Sequence, residues 1–176
     1  MTDGQPITAF AAAVYTPRTT DRLALQRFVD RLKQRGVRVG GILQQASLGA
    51  RGEVTGLHAV DIDSGQRYPL TRPVRNEDEC GLDVAALAET TGIIRRAVDD
   101  RVALLVVEKF GEQEQSGKGL NDEILHAIAA GIPLLIAVSE AALPIWQERS
   151  GELGSIIDFD AEAFDRWWWS VAAEAR

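Results

Sequence analysis

Short apolar runs alternate along this chain with longer segments whose apolar positions recur at helical spacing. Ile7 to Val14, Val37 to Leu43, Val102 to Val107 and Pro133 to Val138 read as strands buried on both faces, because a continuous apolar run leaves no face for water. Leu23, Leu25, Phe28, Val29 and Leu32 form a helical stripe that Gly36 closes. The turn before it, Tyr15 to Asp21, offers Thr19, Thr20 and Asp21 as N-caps. Asp83 to Asp99, with Val84, Leu87, Ile94 and Val98 inward, predicts a second helix, and Leu120 to Ala130, closed by Gly131, a third. A short helix capped by Ser139 runs through Trp146, and Phe159 to Ala175 forms the last. Leu57 to Ile62 and Arg67 to Leu70 flank Asp63-Ser64-Gly65-Gln66, which signals a hairpin. Gln44 to Gly56 and Gly111 to Gly119 read as polar, Gly-rich loops, the second one flexible. Strands alternating with helices predict an α/β fold, three-layer and mostly parallel, with a β-hairpin insertion. No repeat or linker interrupts the pattern, so residues 1–176 read as a single domain.

Composition narrows the functional classes. A chain of 176 residues with 45% hydrophobic content can bury a substantial core. Its net charge of −7, from 19 Lys+Arg against 26 Asp+Glu, argues against nucleic-acid binding, which needs a basic footprint. Cys80 is the only cysteine, so neither an internal disulfide nor a thiolate metal cluster can form, and it reads as a small buried residue. His58 and His126 lie far apart without partners at ligand spacing, so no metal site is expected. The N-terminal apolar run is too short to span a bilayer and lacks a basic flank, which predicts no membrane insertion and a cytoplasmic protein.

Candidate chemistry concentrates in Ala103 to Glu114, ALLVVEKFGEQE, where a buried run opens into Glu108, Lys109, a Phe-Gly step and further carboxylates. The C-terminal ends of strands are where open α/β sheets place ligand sites. The order of RGVRVGGILQ, GLHAVDIDSGQRYPL, GLDVAALAE and ALLVVEKFGEQE resembles the small P-loop nucleoside-triphosphatases. The KFG-x-x-E and GKG pattern is more similar to a bacterial family of unknown function whose members are often labelled molybdenum-transporter ATP-binding proteins. The resemblance covers roughly Ile7 to Val138 and implies a three-layer sheet of P-loop type, a nucleotide ligand with magnesium, and a link to molybdenum transport or metabolism.

Two departures from that pattern bear on activity. A Walker A loop needs a glycine-rich nest of amides, a phosphate-binding Lys and a Ser/Thr for magnesium, whereas Tyr15 to Asp21 has no glycine and no lysine. Arg18, Thr19 and Thr20 remain as anion ligands at a helix N-terminus, or as a plain cap. At the strand end the nucleotidase pattern, as the resemblance implies it, places an Asp for magnesium and a Glu to orient water. Here Glu108 replaces the first, Lys109 cannot perform the second, and Glu114 matches the outer Glu. Loss of one charge-stabilising group costs on the order of 10²–10³ in rate. Lys109 supplies the cation missing from the loop if it projects into the same crevice; otherwise it is an ordinary surface or ion-paired lysine. Arg51 loosely matches the family's basic loop, and Lys118 sits between glycines where it can close over a ligand.

Three readings follow: a catalytically degenerate protein that binds a nucleotide or small oxyanion in an accessory or regulatory role; a weak nucleoside triphosphatase or nucleotide kinase; and an interaction module that has lost its ligand. Trp167, Trp168 and Trp169 span a wide arc of their helix, so at least one ring is expected at the surface, where a homodimer or protein partner can use it.

Overall fold

A computed structural model describes residues 9–71 and 84–174. The expectations for Ile7, Cys80, Asp83 and Ala175, and for the side chains of Val84 and Leu87, lie outside the described residues. The described chain runs β1 (Phe10–Tyr15), α1 (Ala24–Gln34), β2 (Val39–Leu48), β3 (Val54–Asp61), β4 (Arg67–Pro69), α2 (Val84–Asp99), β5 (Leu104–Val107), α3 (Glu112–Gln115), α4 (Asn121–Ala129), β6 (Leu134–Ser139), α5 (Leu143–Arg149), β7 (Ser155–Asp158) and α6 (Ala161–Glu174). Its seven strands form one sheet in the order β4-β3-β2-β5-β6-β1-β7. β2, β5, β6, β1 and β7 are parallel, and β3 and β4 add an antiparallel margin.

Alternation within the buried strands distributes side chains to two cores. Phe10, Ala12, Leu105, Val107, Leu134 and Ile136 face α2, α4 and α5, meeting Ile94, Ile124 and Trp146. Ala11, Ala13, Leu104, Val106, Leu135 and Ala137 face α1 and α6, meeting Phe28, Leu25, Phe164 and Trp167. A strand hydrophobic on both faces can only sit between two helical layers, which gives an α/β three-layer, mostly parallel architecture. The hairpin signal at Asp63 to Gln66 is present between β3 and β4. Buried Asp61 organises it, accepting from the Asp63 N–H at 3.0 Å and the Ser64 hydroxyl at 3.0 Å.

Five sequence expectations are corrected. Tyr15 closes β1 instead of opening the turn. Gln44 to Gly56 is mostly a ribbon, because β2 continues to Leu48 and pairs with β3 up to Leu48 opposite Val54. That ribbon is half solvated, so it needs no apolar run, and its polar sequence carries no strand period. β7 at the sheet edge was not expected, and with only one neighbour it is short and largely exposed. Gly111 to Gly119 is not loop throughout, because Glu112–Gln115 form α3. Neither Thr19, Thr20 nor Asp21 caps α1, whose N-cap is Leu23 without a side-chain bond. Trp167 and Trp168 are 6% and 9% exposed and Trp169 is 55% exposed, so one ring of the three faces solvent as the helical arc requires. Among the described residues, no helix is long and apolar enough to cross a membrane.

The tightest backbone approach is at the centre of the sheet. Gly41 of β2 has φ +116°, and a Cβ there would lie 2.0 Å from the Val106 carbonyl oxygen. Only glycine tolerates both conditions. Gly41→Ala is expected to destabilise the protein by about 3 kcal/mol or more, read as a lower urea midpoint.

Candidate functional site

β5, β6 and β1 end side by side at the C-terminal edge of the sheet. Tyr15 at the end of β1 is in register with Ser139 at the end of β6, and Glu108 follows Val107 at the end of β5. The Arg22 guanidinium carbon sits 4.7 Å from the Tyr15 ring centroid, within cation–π range. Burial pushes the Tyr15 pKa up; Arg22 opposes the rise, the Glu108 charge adds to it, and the neighbouring Ser139 side chain opposes it. Tyr15, Ser139 and Arg22 were not among the predicted site residues. For Tyr15 and Ser139 the signal was positional, since each stands at the end of a buried run.

The turn after β1 is hydrogen-bonded to itself. The Thr16 N–H donates to Thr19 Oγ1 at 3.0 Å and the Arg18 N–H to Thr16 Oγ1 at 3.1 Å. The Thr19 N–H donates to the Thr16 carbonyl at 3.0 Å. Pro17 has no N–H, so every amide donor from Thr16 to Thr19 is already satisfied. Arg22 reaches back to the Thr16 carbonyl at 3.3 Å. Arg18 and Thr20 are exposed and Thr19 is half-buried.

On the other side of Glu108 lies a cavity of about 310 Å³ between the β2–β3 ladder and α3. Glu108, Lys109 and Glu114 line it, together with Gln44, Glu112 and Gln113. Arg18, Thr19, Thr20, Arg51 and Lys118 do not. Arg51 is at the exposed tip of the β2–β3 ribbon, where its N–H donates to Glu53 at 3.0 Å. Lys118 is exposed beyond α3, with its N–H on the Gln113 carbonyl at 2.7 Å. The predicted site therefore separates into a cavity group and a turn group, with Glu108 standing between them.

Glu108 is anchored twice to β2. Its N–H donates to the Ile42 carbonyl at 3.0 Å, and its Oε2 accepts the Gln44 N–H. Burial raises its pKa to about 7, against the lowering effect of the Gln44 bond. Glu114, 5% exposed, acts as a brace. Its Oε2 accepts the Gly111 N–H at 2.9 Å and its Oε1 the Leu120 N–H at 3.0 Å. One carboxylate thus starts α3 and fixes the approach to α4, the N3 half of a capping box.

The sheet order is that of an α/β fold of P-loop nucleoside-triphosphatase type. The crystal structure of THEP1 from the hyperthermophile Aquifex aeolicus has the same fold: TM-score 0.67, 16% identity, covering 94% of this chain and 98% of that one. The chain belongs to the family described as a protein of unknown function, DUF2478, whose model matches residues 10–167. It is also 34% identical over 159 residues to a protein named molybdenum import ATP-binding protein ModC 2 from Bradyrhizobium diazoefficiens. The match takes in 90% of this chain and 18% of that relative, so the chain spans under a fifth of its length.

Two outcomes follow from the carboxylates. Glu114→Ala leaves the Gly111 and Leu120 amides without their acceptor and is expected to cost about 2–4 kcal/mol in chemical denaturation; Glu114→Gln, retaining one acceptor oxygen, loses less. Glu108 binds its proton more tightly folded than unfolded, so its contribution is fully present below its ordinary pKa of 4.5 and is lost as pH rises through about 7. Glu108→Gln removes this term. The variant's stability relative to the parent is expected to rise by on the order of 2–3 kcal/mol between pH 4.5 and 8, measured as paired urea titrations across that range.

Proposed function

We propose that this chain is a catalytically degenerate P-loop-like protein that binds a nucleotide or small oxyanion at the C-terminal edge of its sheet. Its role is accessory or regulatory. The self-bonded turn from Thr16 to Thr19 carries the reading: a phosphate nest works through free backbone amides, and here they are satisfied before any ligand arrives. Magnesium fits poorly. Glu108 titrates near pH 7 with one oxygen on the Gln44 N–H, and the Thr16 and Thr19 hydroxyls already accept amides. Lys109, exposed and outside the ion pairs recorded among the described residues, is the principal cation for the ligand. Arg18, Thr19, Thr20, Arg51 and Lys118 are secondary contacts that come into reach only if the loops move. The name of the 34% identical relative supports ATP as a candidate ligand and a place in molybdenum transport or metabolism, inside the cell. A homodimer or protein contact through the last helix would use Trp169, the exposed ring of the three.

A thermal-shift panel of nucleotides, phosphate, sulfate and molybdate tests the proposal. A ligand at about 100 times its dissociation constant is expected to add about 2.7 kcal/mol of stability, and Lys109→Ala is expected to abolish that gain. No shift with any of them would leave an interaction module without a ligand. Magnesium-dependent phosphate release that disappears in Glu108→Ala would make the chain a weak nucleoside triphosphatase or nucleotide kinase.

A further inference from the structure

The cavity beside Glu108 is built for something other than phosphate. Ile42, Leu57, Ala59, Leu70, Val107 and Leu120 give it apolar walls. Among the described residues its charged lining is three carboxylates, Glu108, Glu112 and Glu114, against one ammonium, Lys109. An anion entering would face a net negative lining at low local dielectric, where like charges repel most strongly. At about 310 Å³ the space is at the small end of ligand sites, enough for one ring system. Apolar walls with a few fixed polar groups are the usual means of seating a flat ring in a set orientation.

Glu108 is the fixed polar group. The Gln44 N–H holds Oε2, and a carboxylate has acceptor sites on both oxygens beyond that one bond. N–H donors on a ligand would offset the desolvation that burial imposes on the ionised carboxylate. Lys109 belongs to the same lining but is exposed, so it stands toward the solvent side.

We infer that this cavity takes an uncharged or cationic heterocycle carrying N–H donors along one edge, a guanine- or aminopyrimidine-type ring, with Glu108 as its acceptor. This deepens the function proposed above and rests on it. In a nucleotide ligand the base enters the cavity and the phosphates remain outside, on the Lys109 side.

Calorimetric titration with guanosine, 2-aminopyrimidine, adenosine, pyrophosphate and GTP separates the two ideas. Guanosine and 2-aminopyrimidine are expected to bind without any phosphate, and adenosine more weakly. Glu108→Gln turns an acceptor toward a donor and is expected to weaken guanosine by about tenfold or more. Leu57→Trp, which fills the cavity, is expected to weaken it likewise, with thermal unfolding confirming that each variant folds. Binding of GTP and pyrophosphate without guanosine or 2-aminopyrimidine overturns the ring site and leaves the anion reading standing. Guanosine affinity unchanged in both variants also overturns it, since the ring then sits elsewhere. Binding of none of the five overturns the ring site, while the oxyanion reading is decided by the thermal-shift panel.

Discussion

The burial of β5 constrains everything at the candidate site. Its four residues, Leu104 to Val107, are buried, with β2 on one side and β6 on the other. A strand closed on both edges and both faces leaves its backbone no freedom, so the residue that follows it is delivered to a fixed point. That residue is Glu108, and the same pairing that fixes it also removes it from water. Its raised pKa, its bond to Gln44 from the neighbouring strand and its influence on Tyr15 two strands away all derive from the way β5 is enclosed.

The buried framework was legible in the sequence because apolar runs and helical stripes encode it directly. Val102 to Val107, Pro133 to Val138 and the stripe from Leu25 to Leu32 correspond to β5, β6 and α1 within a residue or two at most boundaries. What escaped was structure that polar residues build. The outer half of β2 pairs through its backbone, and Gln45 and Ser47 offer no apolar period to reveal it. α3 forms because a single carboxylate accepts two amides, a bond pattern that no local composition announces. β7 is a short edge strand whose existence depends on the exposed side of β1.

The site was legible only in part, for a related reason. Glu108, Lys109 and Glu114 were singled out as candidates because they follow a buried run, yet their surroundings differ once their partners are known. Glu114 holds backbone amides, Glu108 faces both the cavity and Tyr15, and Lys109 faces water. Tyr15 and Ser139 became visible only when β1 and β6 proved to be neighbours, a relation between residues more than a hundred positions apart. The proposed degeneracy rests on the turn, where glycines and lysine are missing from the sequence and the threonine hydroxyls bond the backbone instead.

The turn from Thr16 to Thr19 also bears on how this protein relates to whatever it binds. A glycine-rich phosphate loop has unmet donors and is completed by its ligand, so occupancy and order rise together. Here the hydroxyls of Thr16 and Thr19 do the completing. The segment is closed by its own bonds, and an anion approaching it would have to compete with them. A partner that recognises this edge would therefore meet a turn whose order comes from its own threonines.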